Sequence, residues 1–299
     1  MQTPIDMDHG RRVRGDWFWR AAWLLCSGAW AFWLAGVACC AAAEARSGDA
    51  DPAIPTFRVE ADGFSASEAD IRAVVESTGR ELWRFFPGYR IEPFVIMRGR
   101  GGPVVLFERN SCGEIVIQLD TQRTYWSQYA YQFAHEFCHI LCGLDEDTHK
   151  NKWFEETLCE TASLFALRAM AEAWADDPPY PHWREFRHAL RKYADDVIAK
   201  RDGIRETHGR GMASFYLAHQ AELEQSPGLR ELNGAMSIVL LRLFEQQPEH
   251  WEAVRWLNAS GSPKGETFQE HLRRWRDAAP NRHKPFIRRI ADLYGIEID

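Results

Sequence analysis

The sequence predicts an α+β fold, and three observations carry that expectation. Short strand-like apolar runs fall between residues 57 and 119. From Thr124 onward, apolar positions recur at helical spacing almost without a break. No internal repeat or low-complexity tract points to a solenoid or a fibre. With 299 residues, 45% hydrophobic and 26% charged, the chain can bury a sizeable core, and it is unlike a disordered or polytopic membrane protein. The net charge of −7, with no dense basic block, leaves no electrostatic footprint for nucleic acid.

The N-terminus comes first. Arg11, Arg12, Arg14 and Arg20 precede an uncharged stretch, Ala21 to Ala43, rich in Leu, Trp, Phe and Ala. It ends in Ala41-Ala42-Ala43 before Glu44-Ala45-Arg46. A basic start, an apolar middle and a small-residue end predict a secretory leader over residues 1–45. The run is also long enough to span a bilayer, so an uncleaved anchor over residues 17–43 is the rival expectation. Either way the rest of the chain is expected in the periplasm or outside the cell. Residues 46–55 read as a polar linker and 56–299 as one domain, mixed over 56–123 and helical over 124–299.

Within that domain, Phe57 to Glu60 reads as a strand. Ser65-Ala66-Ser67-Glu68 has the form of a capping box opening a helix to about Phe86, with Ile71, Val74, Val75, Leu82 and Phe85 on one face. Pro87-Gly88 stops it. Three strand-like runs follow, Ile91–Arg98, Pro103–Glu108 and Glu114–Leu119, and their short Gly-rich or Asn-Ser-Cys-Gly links predict antiparallel pairing. Helical periodicity then covers 124–142, 153–175, 183–200, 212–224, 229–246, 249–257, 266–276 and 284–294.

The string His135-Glu136-Phe137-Cys138-His139 sits in a run without Gly or Pro. On a helix, positions i and i+4 share a face, so both imidazoles can grip one metal ion while Glu136 stands beside it as a base for a bound water. A catalytic zinc site needs a third protein ligand. Downstream stands Trp153-Phe154-Glu155-Glu156-Thr157-Leu158-Cys159-Glu160.

Over residues 114–170 the chain resembles the gluzincin metallopeptidases, the thermolysin-like and aminopeptidase-like zincins, with a looser echo from Gly234-Ala235-Met236 to Leu243. The resemblance implies a zincin-like domain, a zinc ion, a peptide or protein substrate, and metal ligation by His135, His139 and Glu156. It implies Glu136 as the catalytic base and Glu160 as the acid that orients His135. The 16 residues between His139 and Glu156 are slightly fewer than usual for that family.

Other third ligands remain on the sequence. Asp145 stands where a metzincin-like site would place one, although Cys142 occupies the position where that pattern wants Gly; His149 is a further candidate. Glu155 is expected to point about 100° away from Glu156 on the helix. Cys142 or Cys159 could ligate only by displacing a His or Glu. The tyrosine that the aminopeptidase-like branch places before its Gly-Ala helix start is missing from Arg230–Gly234, leaving Tyr193, His208, Tyr216 and His219 as substitutes. There is also no Gly-x-Met-Glu-Asn-like string for a substrate amino terminus.

Four cysteines follow the leader, and an even count in an exported chain makes disulfides plausible. If the two site helices run antiparallel, Cys138 and Cys159 fall at similar heights, so Cys138–Cys159 is expected first and Cys112–Cys142 second. The basic tract from His271 to Arg289 reads as a solvated helix face, with Trp275 and Phe286 in the core. The sequence therefore predicts an exported zinc metallopeptidase. The alternative is a zincin-fold binding or assembly protein of the cell envelope without turnover.

Overall fold

The strands form a sheet in the order β1-β2-β4-β3, where β1 is Phe57–Val59, β2 Phe94–Arg98, β3 Val104–Leu106 and β4 Ile115–Leu119. The computed structural model describes residues 54–144, 149–201 and 211–299, all within one unit, Gly48–Asp299. The leader 1–45 and the linker to residue 53 lie outside the described residues. No helix among the described residues is long and apolar enough to cross a membrane.

The class is mixed α+β, but the strand directions correct the antiparallel expectation. β1 pairs parallel with β2, and β2 parallel with β4; only β3 and β4 are antiparallel. The reason lies in the connections. A helix, α1 (Glu68–Trp83), carries the chain from β1 to β2, as a parallel pair requires. The Gly99–Pro103 link does not fold back as a hairpin but passes β4's place and leaves β3 on the outer edge. Ile115, Ile117 and Leu119 of β4 are buried opposite Phe94, Ile96 and Arg98 of β2.

The start of α1 also differs in detail. Ser65 has φ of 55°, outside the extended region an N-cap needs, so it cannot open the helix. Ser67 takes that role, its Oγ accepting the Asp70 N–H at 3.1 Å. A true capping box appears instead at Thr267 and Glu270.

The helices follow the predicted periodicity closely. They are α2 (Trp126–Leu141), α3 (Lys152–Ala173), α4 (Arg187–Lys200), α5 (Gly211–Gln225), α6 (Arg230–Gln246), α7 (Phe268–Ala278) and α8 (Lys284–Leu293). The start of the 183–200 stretch and most of the 249–257 stretch are not α-helix but belong to tighter 3-10 turns, Pro181–Phe186 and Pro248–Trp256, that begin at proline. Phe94 of the sheet stacks on Phe133 and tilts on Phe137 of α2, each at 5.9 Å, which fixes α2 across the sheet. α3 is apolar on nearly every side and is packed by α1, α2, α4, α5 and α6. Trp275 and Phe286 are buried as expected, whereas Arg274 is not simply solvated: it is tied to Glu266 at 2.8 Å.

Replacing Ser67 with Ala should lower stability by about 1 kcal/mol, while Ser65→Ala should cost less than about 0.5 kcal/mol. Chemical denaturation of the two variants checks which serine caps α1.

Candidate metal centre

Two buried helices meet at the site. α2 and α3 run antiparallel, since Tyr131 and His135 lie against Glu160 while His139 lies against Glu155 and Glu156. At about 100° per residue, Glu155, Cys159, Glu156 and Glu160 fall within an arc of about 140° on α3. All four therefore face α2, which presents His135, Cys138 and His139 in return.

Glu156 faces both imidazoles. Its Oε2 lies 3.3 Å from His135 Nε2 and its Oε1 3.6 Å from His139 Nε2. These are hydrogen-bond and ion-pair contacts, and they are close to the about 3.3 Å that separates two ligands each 2.0–2.1 Å from a tetrahedral ion. His135 and His139 are almost buried, and 27% of the Glu156 side chain is exposed. The open side of the cluster is thus at Glu156.

Cys159 comes closer than the sequence suggested. Its Sγ forms, with one ring nitrogen of His135 and one of His139, a group within 4.8 Å that could hold a metal ion. Cys159 is fully buried, and burial pushes its thiol well above the usual range. Glu156 and Cys159 of α3 thus both come up to the histidine pair.

Behind the imidazoles stand two more carboxylates. Glu155 corrects the expectation that it points away: its Oε1 lies 2.6 Å from His139 Nδ1. The displacement of about 100° along the helix moves it from one side of the His139 ring to the other, not out of the site. Its second oxygen, Oε2, accepts from Lys152 Nζ at 2.9 Å and Asn258 Nδ2 at 2.8 Å. Burial raises the Glu155 carboxyl, but His139 and Lys152 outweigh it and hold it down at about 2. Glu160 is on the side of His135 that the sequence predicted, with Oε1 4.0 Å from Nδ1. That is not a hydrogen bond, and His135 Nδ1 is buried without a hydrogen-bond partner. Glu160 is instead gripped by Tyr131 Oη, by Arg201 Nη1 at 2.6 Å and by Arg230 Nε at 3.2 Å.

Glu136 lies on the sheet side of α2. Its Oε2 accepts the Val105 N–H of edge strand β3 at 2.8 Å. Burial pushes its carboxyl up, against the lowering effect of His135 and His139. A carboxyl shifted toward neutrality suits a group that both takes and returns a proton. The carboxylates around His139, Glu156 first, overcome its burial and push it up to about 10, so the local potential favours a cation.

The remaining expectations divide as follows. His149 packs against His271 in a tilted pair, and Asp145 lies outside the described residues. Tyr216 packs against Trp153 at 5.4 Å in an aromatic core with Phe268 and Tyr294. Tyr193 meets Tyr131 edge-on, and His219 packs on Phe215. None of these three touches His135, His139 or Glu156; His208 lies outside the described residues. Gly234 is not at a helix start, because α6 begins one turn earlier at Arg230. A Cβ there would lie 2.6 Å from Arg201 Cδ, so its missing side chain makes room for Arg201.

The disulfide expectations are corrected. All four cysteines are free thiols. Cys138 and Cys159 are hydrogen-bonding neighbours, as their matched heights implied, but they are not joined. Cys112 is exposed in the β3–β4 connection, whereas Cys142 is buried at the end of α2. The residues no sequence pattern flagged are Glu155 in its real role, Lys152, Asn258, Arg201 and Val105. Comparison with protein-family models, with curated proteins and with solved structures finds no match to this chain.

Proposed function

We propose that the chain is an exported zinc-dependent metallopeptidase of the gluzincin type, with His135, His139 and Glu156 as metal ligands. The observation that carries this reading is the partnering of Glu156. Glu155, Glu160 and Glu136 each have a donor outside the histidine pair: Lys152 and Asn258, Arg201 and Arg230, and Val105 N–H. Among the described residues, Glu156 makes polar contacts with the two Nε2 atoms alone, at separations close to those of ligands on a tetrahedral ion. Cys159 is the weaker third ligand, since its thiol is buried beside Cys138 and away from the open side a catalytic metal needs.

A bound zinc ion would polarise the scissile carbonyl and lower the pKa of a water molecule. Glu136 would take that water's proton and pass it to the leaving amine. Glu155 holds His139 by its other ring nitrogen, and Glu160 places negative charge behind His135. The proposed export rests on the basic, apolar and small-residue pattern of residues 1–45. A second reading, a zincin-fold envelope protein without turnover, is favoured by the lack of contact between the site and the tyrosines expected to steady an oxyanion.

Metal stoichiometry and peptide-library digestion test the roles together. Glu136→Gln should keep about one zinc and abolish hydrolysis, because an amide cannot accept the proton. Glu156→Ala should lose both, while Asp145→Ala and Cys159→Ala should keep the metal. A Glu156→Ala protein that retains zinc, beside a Cys159→Ala protein without it, would overturn the ligand set. A zinc-loaded wild type that cleaves nothing establishes the envelope-protein reading.

The buried carboxylates behind the histidines should also show in metal affinity. Glu155→Ala and Glu160→Ala should each weaken zinc binding about 10–100-fold. Gly234→Ala should weaken it in the same direction by pushing Arg201 off Glu160. Competition with a chromogenic chelator measures all three.

Fusing residues 1–45 to a reporter active only outside the cytoplasm should give signal. Silence from that fusion would remove the export proposal.

A further inference from the structure

We propose that Arg230 is a substrate-recognition residue that selects peptides carrying a carboxylate close to the bond cleaved. The inference rests on the peptidase reading and adds a substrate class to it. It begins with a charge count at Glu160, where one carboxylate faces two guanidinium groups.

The two arginines are not equivalent. Arg201 is held on every side: Nη1 lies 2.6 Å from Glu160 Oε2 and 3.1 Å from Tyr131 Oη, and 12% of its side chain is exposed. Its stem lies on α6 where Gly234 leaves space. Arg201 alone neutralises Glu160. Arg230 reaches Oε1 through Nε only, at 3.2 Å, and 58% of its side chain is exposed. Its Nη1 and Nη2 make no hydrogen bond among the described residues. Arg230 is therefore the less committed of the two guanidinium groups, with neither terminal nitrogen of its fork engaged among the described residues.

Its place along the helices brings that guanidinium toward the histidine cluster. Thr157 Oγ1 is 3.4 Å from Asn233 Oδ1, and Thr161 Oγ1 is 3.4 Å from Ser237 O. α3 and α6 therefore run in the same direction, and Arg230 stands level with the first turns of α3, where Glu156 is exposed. Two contacts, 3.2 and 4.0 Å, join its Nε through Glu160 to His135 Nδ1. The groups facing it are Glu160, Arg201, Tyr131 and Tyr193. The partly exposed Glu156 would repel an incoming carboxylate, and the exposed guanidinium of Arg230 would attract it. A guanidinium edge with two free N–H groups matches a carboxylate in bidentate fashion. The carboxylate can come from a peptide C-terminus or from an acidic side chain.

The test uses the full chain, zinc-loaded and carrying Glu136→Gln so that peptides bind without turnover. Three fluorescent peptides share one neutral sequence: the free C-terminal acid, the amide with one Glu, and the amide with no acid. At least one carboxylate peptide should bind about tenfold tighter than the neutral amide, the size of one charge-assisted hydrogen-bonded pair. Adding Arg230→Met should reduce that advantage to about twofold or less, and Arg230→Lys, which keeps the charge without the fork, should leave it in between. Which peptide gains identifies the source of the carboxylate. Equal binding of all three peptides, or an advantage that survives Arg230→Met, overturns the inference. Wild-type digestion is read separately: a binding preference without any cleavage sinks the peptidase reading and leaves Arg230's role standing.

Discussion

Four carboxylates and two imidazoles cannot share one buried helix contact unless positive charge is brought to them. That constraint organises much of the molecule around α2 and α3. Lys152 is supplied by α3 itself, Arg201 by the end of α4, Arg230 by the start of α6, and Asn258 by the segment before α7. An uncompensated carboxylate in such a place is costly, and a paired one with every lone pair engaged is tolerated. Each of these donors serves Glu155 or Glu160. Glu156 is the carboxylate that, among the described residues, is left to the histidines.

The part of this site that follows from local periodicity was legible in the sequence. His135, Glu136 and His139 are one helical turn, and Glu156 and Glu160 are another, so their faces could be assigned before their partners were known. Glu155 was misjudged because a helix phase gives direction only relative to an axis. A ring has two nitrogens on opposite sides, and a residue turned away from one can meet the other. Arg201 and Val105 were not legible at all, because nothing in the local sequence says which distant side chain or backbone amide a buried acid will reach.

The same division holds for the fold. Helix positions were readable because their apolar spacing is intrinsic to each segment. Strand direction was not, because short Gly-rich links suit a hairpin and a crossing equally well, and pairing is decided by which strands lie side by side. The outcome matters for the site. With β4 between β2 and β3, β3 becomes the edge strand whose Val105 amide is free to meet Glu136. The thiols were misread for a related reason: matched height along two helices brings Cys138 and Cys159 together but does not fix the geometry a disulfide needs.

The groups that surround the imidazoles are scattered from Val105 to Asn258, on elements separated by more than half of the domain. An unfolded chain offers a metal only the paired histidines of one helical turn, and those too only while that turn persists. The complete set of groups around the imidazoles is therefore a product of complete folding. A polypeptide threaded through a membrane in extended form would carry no such site in transit. Any ion that the cluster holds would then be taken up in the compartment where the chain folds.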